Sequence, residues 1–310
     1  MNALTNWLPM CTPIPVHFRY LFFKKISSLN FSNMQTKIHE YTSSEPMLKV
    51  NAFIVEAQKE LVIVDTTLTM SDSKALKEKA DSLGKPVSGI LFTHGHPDHV
   101  AGAYILASNG NIPIYALKSV SRLMEETEDA KHKQWSSLFG SEWIPKWVYP
   151  NAIVKDGESV TIGQMKFTVL DIGSGGDCDA NSIWLLEDEN QAAFIGDFIY
   201  QNNHTYMNDG SILRWLANLD RFSPILRRFN TYYVGHGPAC DFGAIEKQKQ
   251  YFVTYCAEIL RATKGTGIFD DQTKKSFEET MLATFPDYGC QFMVALSADN
   301  VGKELVSRSH

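Results

Sequence analysis

Short apolar runs separated by polar turns recur along the chain and predict β-strands in two groups. In the first group, the runs at 48–56 and 60–66 flank a polar turn and predict a hairpin. Apolar runs at 87–92 and 112–117 predict the next two strands. The second group comprises four predicted strands, at 165–172, 182–187, 192–195 and 231–234.

Helical periodicity fills the intervals between these strands. Ser71 precedes an amphipathic stretch that ends near Gly84. Further helices are predicted at 99–108, 119–129, 212–222, 244–263 and 271–284. Each of the two groups begins with strands and continues with strands and helices in alternation. This order favours an α/β fold in which helices cover two sheets.

Composition indicates a globular protein with a large core, since 44% of the 310 residues are hydrophobic. The net charge of −6, without a lysine- or arginine-rich run, argues against nucleic acid as a partner. No apolar stretch of the sequence reaches transmembrane length, which argues against a membrane partner. Five widely spaced cysteines without a C-x-x-C pair argue against a disulfide framework and favour a reducing, cytoplasmic location.

Three segments are predicted along the chain. Residues 1–33 carry a lysine pair after their apolar residues, whereas a signal peptide has its positive charge first. They are predicted to be a leader outside the fold, and the location would be periplasmic or secreted if they direct export. Residues 34–243 are predicted to form the catalytic domain. Residues 244–310 are predicted to be a helical extension that serves packing or a homodimer contact.

The densest chemistry in the sequence is the run THGHPDH at 93–99, which directly follows the predicted strand 87–92. Its glycine and proline discourage regular structure, so the polar side chains sit on a tight loop at a strand end. Imidazole and carboxylate are ligands that suit zinc, manganese and iron. His94 and His96 are expected to point one way, and Asp98 and His99 to a neighbouring position, so one loop can serve two metal ions.

Further ligand-type residues stand where other apolar strands end. They are Asp65 after 61–64, Asp177 in the glycine-rich turn 173–181, Asp197 after 193–196, and His236 after 232–235. Strand ends that converge at one edge of a sheet assembly form the rim of an active site. These residues are therefore candidates to complete a metal site with the histidine run.

The order of these motifs resembles that of the metallo-β-lactamase superfamily over residues 45–240. The resemblance implies a four-layer αββα sandwich with two divalent metal ions, usually zinc, at one edge. It implies a first metal held by His94, His96 and the third motif, and a second metal held by Asp98, His99 and His236. Asp197 would bridge the two metals. Asp65 would accept a hydrogen bond from the histidine loop.

The third motif departs from the family pattern. The family supplies a histidine there, whereas alignment on Asn181 places Asp177 at that position. Three interpretations stay open at this stage. Asp177 is the ligand, or Cys178 or Asp179 binds through a shifted turn, or the first metal site is weak or empty.

A carboxylate at 177 changes the charge of the implied site. Two divalent ions, the three aspartates and a bridging hydroxide would be neutral together, whereas a histidine would leave one positive charge. The site is therefore predicted to be a weaker Lewis acid than that of relatives with histidine. Two imidazoles with one carboxylate also form a ligand set of ferrous iron, so iron or manganese are alternatives to zinc.

The predicted function is hydrolysis of a small carbonyl substrate, namely a thioester, lactone, ester or β-lactam. A hydroxide held between the two metals would attack the carbonyl, and Asp98 and Asp197 would position the water or accept its proton. Two alternatives remain. One is an iron-dependent oxidoreductase on the same fold, and the other is a non-catalytic metal-binding protein.

Four residues are candidate substrate contacts. His204 follows Asp197 closely, and the tryptophans at 135, 143 and 147 lie in a connecting segment that could form a wall over a pocket. Each candidate has a structural alternative, since His204 could be a purely structural residue. Trp135, Trp143 and Trp147 could equally anchor a long insertion to the core.

Overall fold

The computed structural model describes residues 36–44 and 48–307, and the predicted leader at 1–33 lies outside the described residues. The described apolar runs form strands in two sheets. In spatial order, the first sheet comprises β1 (Lys37–Thr42), β2 (Asn51–Glu56), β3 (Leu61–Val64), β4 (Val87–Leu91), β5 (Ile114–Leu117) and β6 (Ala152–Val154). The second comprises β7 (Ser159–Ile162), β8 (Met165–Gly173), β9 (Asn181–Leu186), β10 (Ala192–Tyr200) and β11 (Thr231–His236).

Strand direction places the ends of several strands at one edge. The predicted hairpin is formed by β2 and β3, which pair antiparallel, and β3 to β6 then run parallel. In the second sheet β10 and β11 are parallel, while the other neighbouring strands are antiparallel. Parallel strands end on the same side of a sheet, so the segments after β3 and β4 start as neighbours.

Helices cover both outer faces of the paired sheets. They are α1 (Met70–Ser82), α2 (Pro97–Val100), α3 (Ala103–Leu106), α4 (Lys118–Phe139), α5 (Ile212–Leu226), α6 (Gly243–Ala262), α7 (Asp271–Thr284) and α8 (Met293–Ser307). The buried residues of α1 to α4 share one hydrophobic core with the first sheet, and those of α5 to α8 share another with the second sheet. The predicted four-layer αββα order is therefore confirmed.

Strand β9 shows how the second sheet separates the two cores. Trp184 and Leu186 belong to the core shared with the first sheet, whereas Ile183 and Leu185 belong to the core under α5 to α8. Consecutive side chains of a strand point to opposite faces, so a continuous apolar run is expected for a strand buried on both sides. All six residues of β9 are buried.

The helix predicted at 99–108 is two short helices, α2 and α3, on either side of Gly102. A Cβ at Gly102 would lie 2.8 Å from Oγ of Ser73 and 2.8 Å from the backbone nitrogen of Thr67. The chain thus passes too close to α1 and the segment before it for any side chain at this point. The backbone N–H of Gly102 donates to the Thr67 carbonyl oxygen (2.8 Å) instead of to a helical carbonyl, and the helical hydrogen-bond pattern is interrupted here.

Other elements extend beyond the predicted bounds or were missed. Helix α4 continues ten residues past 129, so the tryptophan-containing insertion begins as a helix. Strands β1, β6 and β7 and helix α8 were not predicted. The described residues from 36 onward belong to one compact unit, and the boundary between 243 and 244 stays a prediction. Among the described helices, none has the length and apolarity that crossing a membrane requires.

Candidate metal centre

The histidine loop leaves β4 beside the end of β3 and turns at once into α2. His96 has an extended backbone (φ −71°, ψ 146°) and caps the helix, and Pro97 occupies its first turn. This change of direction separates the four side chains. His94 and His96 share one cluster of ligand-type atoms, Asp98 and His99 share another, and a third group joins His94 and His99 to Asp65.

Asp65, at the end of β3, holds the histidine loop from behind. Its carboxylate accepts hydrogen bonds from the Thr93 backbone N–H (2.8 Å) and the Thr93 hydroxyl (2.6 Å), and it lies 2.9 Å from Nδ1 of His99. Asp65 has a left-handed backbone (φ 54°), a conformation that aspartate adopts more readily than most residues. With Nδ1 of His99 engaged by Asp65, Nε2 is the nitrogen that faces the centre.

The first cluster consists of His94, His96 and Asp177. Nε2 of His94 lies 3.4 Å from Oδ2 of Asp177, and Nδ1 of His96 lies 2.7 Å from the same oxygen. The approach of His96 is short but lacks hydrogen-bond geometry, since neither Asp177 oxygen has a hydrogen-bond partner among the described residues. All three residues are buried, and their ligand-type atoms lie within 4.8 Å of one another.

Of the three candidates in the glycine-rich turn, Asp177 is the one that lies against the histidines. The Cys178 thiol is directed to the Ala180 carbonyl (3.5 Å) and Oδ1 of Asn181 (3.6 Å), and Asp179 is exposed. Burial, reinforced by the Asp177 charge, raises the pKa of Cys178 well above its usual value and keeps the thiol protonated. The geometry favours Asp177, whose role as a ligand stays a prediction.

The second cluster consists of Asp98, His99 and His236. Nε2 of His236 lies 3.4 Å from Oδ2 of Asp98, and Nε2 of His99 lies 3.7 Å from it. Nδ1 of His236 is 2.8 Å from the carbonyl oxygen of Leu48, to which it donates. That hydrogen bond leaves Nε2 of His236 directed at the cluster.

Asp197 stands between the imidazoles of the second cluster. Its Oδ1 lies 3.3 Å from Nε2 of His99, and its Oδ2 lies 3.3 Å from Nε2 of His236. The pairing of β10 with β11 shifts register around Gly196, which re-aims the side chain that follows. At Gly235 on β11, a Cβ would lie 1.9 Å from Oδ1 of Asp197, so only glycine fits beside this carboxylate.

The charges within the clusters balance one another. Burial opposes ionisation of Asp98, Asp177 and Asp197, but the neighbouring imidazoles outweigh it and hold the pKa of each carboxyl below its usual value. Burial likewise opposes protonation of His96, yet the Asp177 carboxylate outweighs it and raises the pKa of His96 to about 9. The carboxylates are therefore ionised at neutral pH, as metal ligands must be.

Several buried ligand-type atoms have no hydrogen-bond partner within the described part of the chain. Those in the two clusters are Nε2 of His94, Nε2 of His99, both carboxylate oxygens of Asp177, and Oδ1 of Asp197, while Nε2 of His204 is a further one away from the clusters. Each unpaired buried polar group costs about 1–3 kcal/mol, and a charged one costs more. Such atoms concentrated in two adjacent clusters fit two divalent cations of the zinc type, to which imidazole and carboxylate bind readily.

Tyr200 was missed by the sequence analysis although it contacts two of the predicted ligands. Its hydroxyl donates a hydrogen bond to Oδ2 of Asp197, and its ring stacks on His236 with 5.0 Å between centroids. The available signal was proximity, since Tyr200 follows Asp197 by three residues on the same strand. Tyr200 thus occupies Oδ2 of Asp197, whereas Oδ1 has no hydrogen-bond donor among the described residues.

Asp209 and Lys131 form a second contact that the sequence did not reveal. Oδ2 of Asp209 lies 3.4 Å from Nε2 of His96 and 2.6 Å from Nζ of Lys131. A carboxylate on the outer nitrogen of a ligating histidine fixes the tautomer and the ring orientation. Lys131 lies on α4, so this ion pair links the insertion helix to the first cluster.

Replacing Asp209 by asparagine is expected to weaken metal binding by about 10- to 100-fold, because an amide holds the His96 ring less firmly than a carboxylate. Competition with a chelator would measure the dissociation constant. Asp220→Asn is the matched control, since that carboxylate is on α5 and its side chain is 73% exposed. Equal affinities in the wild type and Asp209→Asn would contradict this role.

A cavity of about 930 Å³ opens onto the two clusters. His96, Asp98, Asp197 and His236 reach it, while most of its other lining residues are apolar. Trp135, on α4, also lines the cavity, and its contact with a substrate stays a prediction. The cavity gives a small molecule direct access to the predicted catalytic carboxylates.

The other two tryptophans anchor the insertion and do not line this cavity. Trp143 is buried, donates its Nε1–H to Nδ1 of His132 (2.8 Å) and stacks on Phe139. Trp147 is buried in the core of the first sheet. For Trp143 and Trp147 the anchoring alternative therefore describes their positions, and their predicted substrate contacts have no support from the geometry.

His204 lies in an aromatic cluster under the C-terminal helices, and its predicted substrate contact is corrected on that ground. It is fully buried, its Nδ1 lies 3.0 Å from the Tyr251 hydroxyl, and its ring packs against Phe285 and Tyr288. It is not among the residues that line the cavity. Proximity to Asp197 in sequence was not a guide to proximity in space, because the chain after β10 runs away from the cavity.

The buried His204 is expected to make stability depend on acid pH. Burial lowers its pKa to about 4, whereas the unfolded chain titrates near the ordinary value of 6.5. Between these values the unfolded state binds the extra proton, so stability is full above about pH 6.5 and falls as pH decreases towards 4, by roughly 3 kcal/mol. Chemical denaturation of His204→Gln across this range should give a correspondingly smaller pH dependence, and parallel curves would refute the prediction.

Comparison with known proteins identifies the family to which the chain belongs. The family model described as the metallo-beta-lactamase superfamily matches residues 46–246, more than half of the chain. Exodeoxyribonuclease YycJ of Bacillus anthracis is 35% identical over 75 residues, covering 24% of this chain and 28% of that protein. A linear primary-alkylsulfatase of Pseudomonas sp. is 36% identical over 73 residues, covering 22% of this chain and 14% of that protein. The matched segments thus span less than a third of either relative.

Solved structures share the fold along most of the chain. A metallo-beta-lactamase family protein from Thermus thermophilus superposes with a TM-score of 0.64 at 20% identity, covering 88% of this chain and 93% of that one. The DIM-1 metallo-beta-lactamase superposes with a TM-score of 0.56 at 19% identity, covering 72% and 98%. Likeness at this identity shows the fold alone. Together with the family match over residues 46–246, it establishes that the chain belongs to the metallo-beta-lactamase superfamily.

Proposed function

We propose that this protein is a metal-dependent hydrolase of small carbonyl substrates, with two divalent cations, preferably zinc, held by the two His/Asp clusters. The supporting observation is the concentration of buried ligand-type atoms without hydrogen-bond partners among the described residues, directly beneath a cavity. When bound, two such cations would supply polarisation of a substrate oxygen and acidification of the attacking water.

The chain's own residues prepare the centre for that chemistry. Asp65 fixes the His99 ring through Nδ1, and Tyr200 holds one oxygen of Asp197. Asp98 and Asp197 both reach the cavity, where an ionised carboxylate can orient a water molecule and accept its proton. The burial of the remaining ligands keeps bulk water away from the centre, which strengthens every electrostatic interaction there.

The cavity favours a small uncharged electrophile over a phosphodiester backbone. Lys131 and Lys274 are the lysines that line it, and each is paired with a carboxylate, Asp209 and Asp299 respectively. The chain also carries a net charge of −6. An electropositive track, which binding of a nucleic-acid backbone needs, is therefore lacking in the lining of this cavity. Because two relatives are named as a nuclease and an alkylsulfatase, hydrolysis of a phosphodiester and of an alkyl sulfate must be tested beside the carbonyl substrates.

The proposal is tested by elemental analysis of the purified protein and by a substrate panel. The panel contains a thioester, a lactone, an ester, a β-lactam, a phosphodiester and an alkyl sulfate. We expect two zinc ions per chain and hydrolysis of at least one carbonyl substrate, lost on chelation and restored by zinc. Hydrolysis confined to the phosphodiester or the sulfate, or metal without turnover of any carbonyl substrate, would overturn the proposal.

An iron-dependent oxidoreductase is the second candidate, because two imidazoles and one carboxylate in the first cluster resemble a ferrous-iron ligand set. The same elemental analysis, combined with an oxygen electrode, separates the two functions. Iron in the purified protein with oxygen consumption would favour this candidate. Two zinc ions and no oxygen uptake would exclude it.

A further inference from the structure

The walls of the cavity come largely from two helices rather than from the sheets. Helix α4 contributes Trp135, Leu138 and Phe139, and the start of α8 with the residue before it contributes Phe292, Met293, Ala295 and Leu296. Residues 292–296 lie outside the segment 46–246 that matches the superfamily. The C-terminal region, expected from the sequence to serve packing or a homodimer contact, therefore also shapes the access to the metal centre.

The mouth of the cavity exposes apolar side chains. Leu138 is 69% exposed, Phe292 48% and Leu296 36%, and all three line the same opening. A cluster of exposed large apolar side chains is uncommon on a soluble surface unless something binds there. Their position around a cavity that leads to Asp98 and Asp197 points to a small-molecule substrate as the occupant.

The predicted metal ligands that line the cavity lie on other elements than these two helices. His96, Asp98, Asp197 and His236 line the cavity with buried side chains and are referred to as its floor. Lys131 and Lys274 are neutralised by Asp209 and Asp299, so the lining presents no unpaired cation to a charged substrate group. Recognition above the floor therefore depends on apolar contact, while the reacting group meets the His/Asp clusters.

We propose that the substrate is an ester or thioester with an extended apolar chain, which lies between α4 and α8 while its carbonyl group reaches the His/Asp floor. This inference rests on the hydrolase function proposed above and specifies its substrate class. Water forms a new C–O bond at the carbonyl carbon, and the bond to the leaving oxygen or sulfur breaks. One proton of the water leaves with the alcohol or thiol, the other is released to solvent, and a carboxylate with the apolar chain remains.

A chain-length series of p-nitrophenyl esters, from acetate to decanoate, tests the inference. We expect kcat/KM to rise about two- to fourfold per added methylene group until the cavity is filled, because each buried methylene favours binding. Leu138→Ser and Leu296→Ser should reduce this dependence. Ile268→Ser is the matched control, since Ile268 is 73% exposed and does not line the cavity. Its series should match that of the wild type.

A binding series with 2-alkanones, from butanone to 2-undecanone, provides a measurement that does not need turnover. Calorimetry should show the dissociation constant falling with chain length in the wild type and in Ile268→Ser, and falling less in Leu138→Ser and Leu296→Ser. Hydrolysis of esters with no dependence on chain length, in rate or in binding, would overturn the apolar-chain inference and leave the hydrolase. Length-dependent binding without turnover of any ester, thioester, lactone or β-lactam would uphold the cavity's preference and overturn the hydrolase function.

Discussion

Replacing Asp197 by alanine is expected to remove turnover and metal together. Its two oxygens face His99 and His236 at 3.3 Å, so the substitution deletes the carboxylate that stands between the imidazoles of the second cluster. We expect kcat/KM to fall by at least about 10³, because both metal retention and charge stabilisation depend on this group. Elemental analysis of the same preparation should show less metal per chain.

Asp220→Ala controls for the loss of a carboxylate, and circular dichroism of both variants checks that they are folded. Asp220 lies on α5 with a side chain that is 73% exposed, and it is not among the residues that line the cavity. It should retain its metal and its activity. An Asp197→Ala variant with full turnover and full metal content would contradict the bridging role.

The second large effect is expected at Asp177, the residue predicted to replace the histidine of the family's third motif. Alanine removes the carboxylate that faces His94 at 3.4 Å and His96 at 2.7 Å. We expect the loss of about one metal ion per chain and a fall in kcat/KM of at least about 10², since polarisation of the substrate oxygen is weakened. Asp179→Ala is a closely matched control, because that acid lies in the same turn but is exposed.

Asp177→His distinguishes a ligand from a residue that merely fills space. A histidine would supply the donor that the resemblance implies for this motif and would leave the predicted dinuclear centre with one more positive charge. We therefore expect two metals to remain bound, and the acidic limb of the pH–rate profile to move to lower pH, because the attacking water loses its proton more readily. If Asp177→Ala keeps both metals, the carboxylate is not a ligand and the first cluster needs another donor.

The histidine loop and its partners were predictable because each signal is local. Polar ligand-type residues directly after apolar strands can be read from a few neighbouring positions, and parallel strands bring such positions to one edge. The structure indeed places His94, His96, Asp98 and His99 beside residues from the ends of other strands. The α/β fold with two covered sheets followed from the alternation of strands and helices, and the four-layer αββα order was implied by the family resemblance.

The contacts of Asp209 and Tyr200 could not be predicted in the same way. Asp209 reaches His96 from a distant part of the sequence, and its partner Lys131 comes from a different layer of the fold. Such a contact depends on how the segment after β10 is routed, which no local pattern records. The same routing carried His204 into the aromatic cluster and away from the cavity.

Helix α8 is a different case, because its signal was present in the sequence. Val294, Ala298, Val301 and Leu305 recur at helical spacing, and the first three are fully buried. Strand β1 is less apparent, since its residues are only partly buried and its sequence KIHEYT is mostly polar. An edge strand of this kind gives little contrast between polar and apolar positions.

Each His/Asp cluster takes its members from both halves of the sandwich. The segment that follows β4 provides His94 and His96 to one cluster and His99 to the other, while Asp177 and His236 come from the opposite sheet. A cation bound in either cluster would cross-link the two sheets. Resistance to unfolding would then increase with metal affinity, and any weakening of the ligand set would be felt by the whole sandwich as well as by the chemistry.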